Sequence, residues 1–310
     1  MTLAHIASEI QRPELLRHLA RAGARTHTRE RSKGFTPLMI AVVAGCVPMV
    51  QALVPIGHLD VTDQANRTAL QHAVAAEITP TMAEIVRILV NGGASRTVVD
   101  QSSMTPLMVG AERGQVEVVE ALLHPMMSAT APGRPRPAAA WLKKERATVD
   151  HEGPRGPAIV LAAVYDNPTI VRLLINAGAN PNIPDPYGWS ALHYAAFRGM
   201  TKVAHALSTT PVFGGAKLSP SPSTPDKQWT PLMLAAARGF AGPESVLHAI
   251  LAGCASDEKT AALTAACAAG FQPLHYACVF DRPKVVATLL EHNVDLTARA
   301  MSTTNGVSVA

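Results

Sequence analysis

The chain is poor in the side chains that build large mixed cores. Only 4% of its 310 residues are aromatic, three Trp, four Tyr and six Phe, while 48% are hydrophobic overall. Burial must therefore come from Ala, Leu, Val, Ile and Met. Its four cysteines, Cys46, Cys254, Cys267 and Cys278, contain no C-x-x-C pair. That excludes a zinc ribbon and a disulfide framework and points to reduced thiols in an intracellular protein, cytoplasmic or nuclear. Charge of one sign is scarce: 27 basic against 23 acidic residues leave a net +4, too little for a nucleic-acid interface. No uninterrupted apolar run is present. Residues 34–59 and 260–280 lack Asp, Glu, Lys and Arg, yet Pro37, Gly45, Pro48 and Pro55 break the first, and Gly270 and Pro273 the second. A membrane span is therefore excluded. The start, Met1-Thr2-Leu3-Ala4-His5, has no basic region ahead of an apolar run, so no secretory signal is read there. G-x-S-x-G, G-x-x-x-x-G-K-[ST] and H-E-x-x-H are all missing.

What the chain has is one six-residue phrase, repeated. It reads Thr36-Pro37-Leu38-Met39-Ile40-Ala41, Thr105-Pro106-Leu107-Met108-Val109-Gly110 and Thr230-Pro231-Leu232-Met233-Leu234-Ala235. Further copies are Ser190-Ala191-Leu192-His193-Tyr194-Ala195 and Gln272-Pro273-Leu274-His275-Tyr276-Ala277. Weaker ones begin at Thr2, Thr68 and Pro157. Successive starts are 34, 32, 37, 52, 33, 40 and 42 residues apart. The chemistry explains the spelling. Thr caps a helix N-terminus and Pro suits the first helical position. Leu and the closing Ala or Gly face inward, and a Gly such as Gly45, Gly114 or Gly199 turns the chain into a second helix. That helix carries an apolar stripe at i, i+3 and i+4, as at Val118, Ala121 and Leu122. It closes on Gly-Ala, as at Gly23-Ala24 and Gly178-Ala179, through a left-handed cap.

In period and phrase the chain resembles the ankyrin-repeat family, with its unit of about 33 residues and T-P-L-H-x-A signature. The resemblance implies an all-α fold, a solenoid of stacked helix-turn-helix units joined by β-hairpin-like loops. The expected organisation is repeats one to four in 1–124, a Pro/Arg-rich insertion in 125–150 and repeats five and six in 151–207. A Ser/Pro-rich insertion follows in 208–227, then repeats seven and eight in 228–300 and a disordered tail in 301–310. Ser256-Asp257-Glu258 reads as the start of an extra short helix. The last lead-in, 293–299, has no helices after it, so the reading expects a longer parent chain or a partner over that end.

Each unit places one residue just before its phrase, at the tip of the connecting hairpin. Down the chain these are Phe35, Arg67, Met104, Gly156, Trp189, Trp229 and Phe271. A row of large aromatics and Arg has hot-spot composition, so Phe35, Arg67, Met104, Trp189, Trp229 and Phe271 are the candidate partner contacts. Tip-on-tip packing is the competing reading. The resemblance implies that tips and inner helices together form the binding face. His5, His193 and His275 lie too far apart for a metal site and are expected to hydrogen-bond within their own units, with weaker networks where Met39, Met108, Met233 or Val160 stands instead. Cys254 and Cys267 read as structural thiols, despite His248 and His275. No catalytic residue, metal or cofactor is expected. Ser219, Ser221 and Thr224 precede prolines and are candidate phosphorylation sites, while Arg134, Arg136, Lys143, Lys144 and Arg146 read as a solvated basic cluster. The function that follows is a non-catalytic protein-binding scaffold or adaptor. The alternatives are the recognition arm of a larger enzyme or channel, and a small-molecule pocket near Trp189 and Trp229.

Overall fold

A computed structural model of the chain describes residues 2–129 apart from 57 and 78, residues 148–209, and residues 228–296 apart from 243, 244, 255, 293 and 295. Most of the Pro/Arg stretch, the basic cluster and Ser219, Ser221 and Thr224 lie outside the described residues. The chain divides into two compact units, Met1–Pro154 and Arg155–Ala310. Among the described residues every regular element is a helix, and none is long and apolar enough to cross a membrane.

The first unit holds four helix pairs: α1 (Leu3–Glu9) with α2 (Pro13–Arg21), α3 (Pro37–Val43) with α4 (Val47–Leu53), α5 (Ala69–Ala75) with α6 (Pro80–Asn91), and α7 (Pro106–Glu112) with α8 (Val116–Ala129). The second holds α9 (Ala158–Val164) with α10 (Pro168–Asn176), α11 (Ala191–Arg198) with α12 (Thr201–Thr209), α13 (Pro231–Arg238) with α14 (Val246–Gly253), and α16 (Pro273–Val279) with α17 (Pro283–Leu290). The extra helix predicted after residue 256 is α15 (Ser256–Thr264), which packs on α16.

Inner helices of seven or eight residues are below the length at which an isolated helix survives in water. They persist because each packs on its neighbours. In the first unit α1, α3, α5 and α7 form one row and α2, α4, α6 and α8 another; in the second, α9, α11, α13 and α16 form the inner row. The phrase supplies both the start and the seam. Hydroxyls of Thr36, Thr68, Thr105 and Thr230 each accept the backbone N–H three residues on, at 3.3 Å. At the phrase's last place Ala41, Ala162, Ala195, Ala235 and Ala277 are all fully buried, where helices meet too closely for a larger side chain. Gly110 stands at that place in α7, and even a methyl there would come within 3.2 Å of Val119.

The helix-to-helix turn needs a left-handed residue. Gly199 supplies it with φ 74°, and a Cβ there would sit 2.6 Å from the Phe240 ring. Asp166 and Asp281 hold the same conformation with φ 55° and 51°, as short polar side chains can.

Candidate partner-binding face

The hairpins ahead of the inner helices are assembled by one recurring device. An aspartate five residues before the phrase, Asp63, Asp100 or Asp185, donates its N–H to the carbonyl of the tip residue, at 2.9, 3.1 and 2.9 Å. Its Oδ1 accepts two backbone N–H groups, two and four residues on. For Asp63 these are Ala65 and Arg67, both 2.8 Å. For Asp100 they are Ser102 and Met104, 2.9 and 3.0 Å. For Asp185 they are Tyr187 and Trp189, 2.9 and 2.8 Å. The residue before the tip is left-handed in six of the seven hairpins, Gly34, Asn66, Ser103, Gly188, Gln228 and Gly270 in turn, and in the seventh the tip Gly156 itself is. Where that residue is Ser or Gln, the conformation is strained.

The fifth place of the phrase closes two of these loops. His72 Nε2 meets Asp63 Oδ2 at 2.8 Å, and the Tyr194 hydroxyl donates to Asp185 Oδ2 at 2.6 Å. Burial, and then the bond to Asp185, raises the Tyr194 phenol above its ordinary range. In the last hairpin Cys267 replaces Asp and the Tyr276 hydroxyl reaches its sulfur at 3.4 Å; burial raises that phenol too, ahead of the Cys267 contact.

In three repeats the phrase's fourth place ties the repeat to the next. The Thr2 N–H donates to His5 Nδ1 at 3.1 Å, which leaves the ring proton on Nε2, and Nε2 bonds the Phe35 carbonyl at 3.0 Å. His193 does the same between Ser190 and the Trp229 carbonyl, at 3.1 Å each. Gln71 copies it with an amide: Oε1 accepts from the Thr68 N–H at 2.8 Å, and Nε2 donates to the Met104 carbonyl at 3.3 Å. These residues join neighbouring units, a wider role than the one expected within a single unit. A thioether accepts but cannot donate, so Met39 and Met233 take the Thr36 and Thr230 N–H groups at 3.4 and 3.5 Å and pass nothing onward.

A second link was not read from sequence. Arg113 donates to the carbonyls of Val74, Ala75 and Ala76, Arg198 to Val164 at 2.6 Å, Arg238 to Phe197 at 3.0 Å and Arg282 to Ala237 at 3.2 Å. Each arginine thus caps unpaired carbonyls at the C-terminal, negative end of the preceding inner helix. The signal was an Arg in the ninth place of three units, which reads as an ordinary surface cation.

The tip residues divide by what they touch. Phe35 is half-buried and edge-on to the His72 ring of the next unit at 4.9 Å. Trp229 is half-buried and edge-on to Tyr276 at 5.2 Å, and Phe271 meets the same Tyr276 at 5.7 Å. Trp189 lies among His193, Tyr194 and Phe197 of its own unit. Arg67 is exposed. Met104 needs correction: it is 2% exposed, because its thioether is part of the core, so it offers no side chain to a partner. The residue that sequence reasoning missed is Tyr187, 76% exposed beside Trp189. It occupies the second position after Asp185, where the turn throws its side chain outward.

The remaining candidates stay quiet. All four cysteines are free, and burial, then the Glu258 charge, pushes the Cys254 thiol up to about 11, unsuited to a nucleophile. Among the described residues no group of three or more His, Cys, Asp or Glu is placed to hold a metal ion.

A family model described as ankyrin repeats (3 copies) matches residues 3–83, 58–132, 126–217 and 214–300. The mouse B-cell lymphoma 3 protein homolog is 28% identical over 236 residues, 68% of this chain and 50% of that protein. The glycerophosphocholine phosphodiesterase gde1 of Schizosaccharomyces pombe is 31% identical over 156 residues, 50% of this chain and 11% of that protein. The chain thus spans half or less of these relatives. Among solved structures, the ankyrin repeat domain of Bcl-3 aligns with a TM-score of 0.60 and 22% identity, covering 81% of this chain and 98% of that domain.

Proposed function

Because the chain belongs to the ankyrin-repeat family, we propose that it is a non-catalytic scaffold or adaptor, holding one or more proteins against its hairpin tips and inner helices. Ankyrin repeats are protein-interaction modules. The observation that carries the reading is the tip at Tyr187 and Trp189. Tyr187, 76% exposed, stands beside an indole that its own repeat holds in place, an anchor composition suited to a partner. In the first compact unit Arg67 presents an exposed cation at the equivalent tip position, and Phe35, Trp229 and Phe271 contribute the outward halves of rings whose other halves stiffen their own hairpins. The free thiols suit a reducing cytoplasm or nucleus, and Ser219, Ser221 and Thr224 remain proposed phosphorylation sites.

A triple variant, Arg67→Glu, Tyr187→Ser and Trp189→Ala, tests this by quantitative capture of partners beside wild type. Loss of capture with unchanged helical circular dichroism is expected. Full retention by the folded variant rules the tip row out. The second reading, a recognition arm of a larger enzyme, draws on the gde1 likeness, which occupies 11% of that protein. A native product much larger than 32.6 kDa favours it.

A further inference from the structure

Between the third and fourth repeats, whose inner helices are α5 and α7, lies a cleft of about 380 Å³, lined by Arg67, Val74, Asp100, Val109, Glu112 and Arg113 among others. What it lacks is defined by its sister sites. Asp63 and Asp185 each hold their turn with Oδ1 and receive a ring-borne donor on Oδ2, from His72 and Tyr194. Asp100 holds the same turn with Oδ1. The fifth place of its phrase, however, is Val109, which has nothing to donate. Among the described residues no group bonds Asp100 Oδ2. The tip ahead shows the same omission. Phe35 and Trp229 lie edge-on to the fifth-place rings of the units that follow them, His72 and Tyr276. The corresponding pair here is Arg67 and Val109, and Arg67 has no ion pair among the described residues.

We propose that this cleft is a docking pocket for a partner's tyrosine, whose phenol takes the place that Val109 leaves empty. The hydroxyl donates to Asp100 Oδ2, as Tyr194 does to Asp185. The ring lies against Val74 and Val109, and the Arg67 guanidinium covers its face, where an aromatic tip would otherwise lie. A hydrogen bond to an ionised carboxylate is stronger than one between neutral groups. The pocket thus names the chemistry of one anchor within the docking reading above and rests on that reading.

The probe is 4-methylphenol, the tyrosine side chain as a free molecule, titrated into the full chain and followed by NMR of the Val74 and Val109 methyl groups. Saturable shifts are expected with Kd on the order of a millimolar, and toluene, which has no donor, should bind roughly tenfold more weakly. Asp100→Asn keeps the turn, since its amide oxygen still accepts both N–H groups, but replaces the free acceptor with a donor; it should weaken 4-methylphenol roughly tenfold. Val109→Tyr should fill the pocket from within, abolish binding and raise the urea midpoint. Equal affinity for toluene, undiminished binding by Asp100→Asn, or shifts that avoid Val74 and Val109 would overturn the proposal. If Val109→Tyr does not fold, the toluene and Asp100→Asn comparisons decide. Failure here beside loss of capture by the triple tip variant removes the pocket and leaves the docking reading intact.

Discussion

The hairpins at Asp185 and Asp100 use the same turn, the same two backbone acceptances and the same left-handed residue before the tip, yet one is finished by its own chain and the other is not. Tyr194 closes the first at 2.6 Å; Val109 leaves the second open beside a 380 Å³ cleft. In a repeat protein the frame is specified many times over, so a place where one copy omits a bond that its sisters make is informative. It marks either a weakness of the stack or a socket. The two hairpins can be made more alike or less alike by substitution, and the energetic consequences differ in size.

The largest effect is expected from Asp185→Ala, which strips two N–H acceptors and the Tyr194 partner at once and should cost about 3 kcal/mol in urea unfolding. Asp100→Ala removes only the two turn bonds and should cost about 2 kcal/mol. Equal losses would show that the Tyr194 bond contributes nothing. His193→Met next tests the link between repeats: the thioether keeps an acceptor for Ser190 but removes the bond to the part-buried Trp229 carbonyl, at about 1 kcal/mol. Tyr194→Phe should cost about 1 kcal/mol and also change the alkaline limb of stability. Because the folded phenol titrates above its unfolded value of 10.0, its contribution is complete below that pH and is lost as pH rises through the higher folded value. The Phe variant, followed by far-ultraviolet circular dichroism, should lack that part of the decline. Smallest is relief of backbone strain: Ser103→Gly and Gln228→Gly, at φ 55° and 54°, should each stabilise by about 0.5–1 kcal/mol, read as a higher melting temperature.

The frame was legible because its determinants are local. A Thr hydroxyl three residues from the N–H it caps, a proline at the first helical position and an apolar stripe at helical spacing all lie within a dozen residues. The tips were half legible. Their positions followed from the phrase, but what Phe35, Met104 or Trp229 touches depends on a residue about 33–47 places on, and Met104 proved to be core. Asp63, Asp100 and Asp185 recur five places before the phrase and could have been read as turn anchors, since Asp accepts N–H groups two residues ahead. The arginine links were hidden, because their acceptors are backbone carbonyls that no sequence spells out. So was the socket at Asp100, which is visible only when sister hairpins are compared atom by atom.

The histidine and glutamine couplings bear on how the molecule would come apart. Thr2 to Phe35, Thr68 to Met104 and Ser190 to Trp229 are riveted across a joint by a side chain bonded at both ends. At Met39 and Met233 that rivet is missing. Within each compact unit, stretching should open joints that lack the rivet, such as the one after α3, ahead of joints held at both ends. Force traces should then show rips of one or two repeats, with His5, Gln71 and His193 still holding the pieces between them.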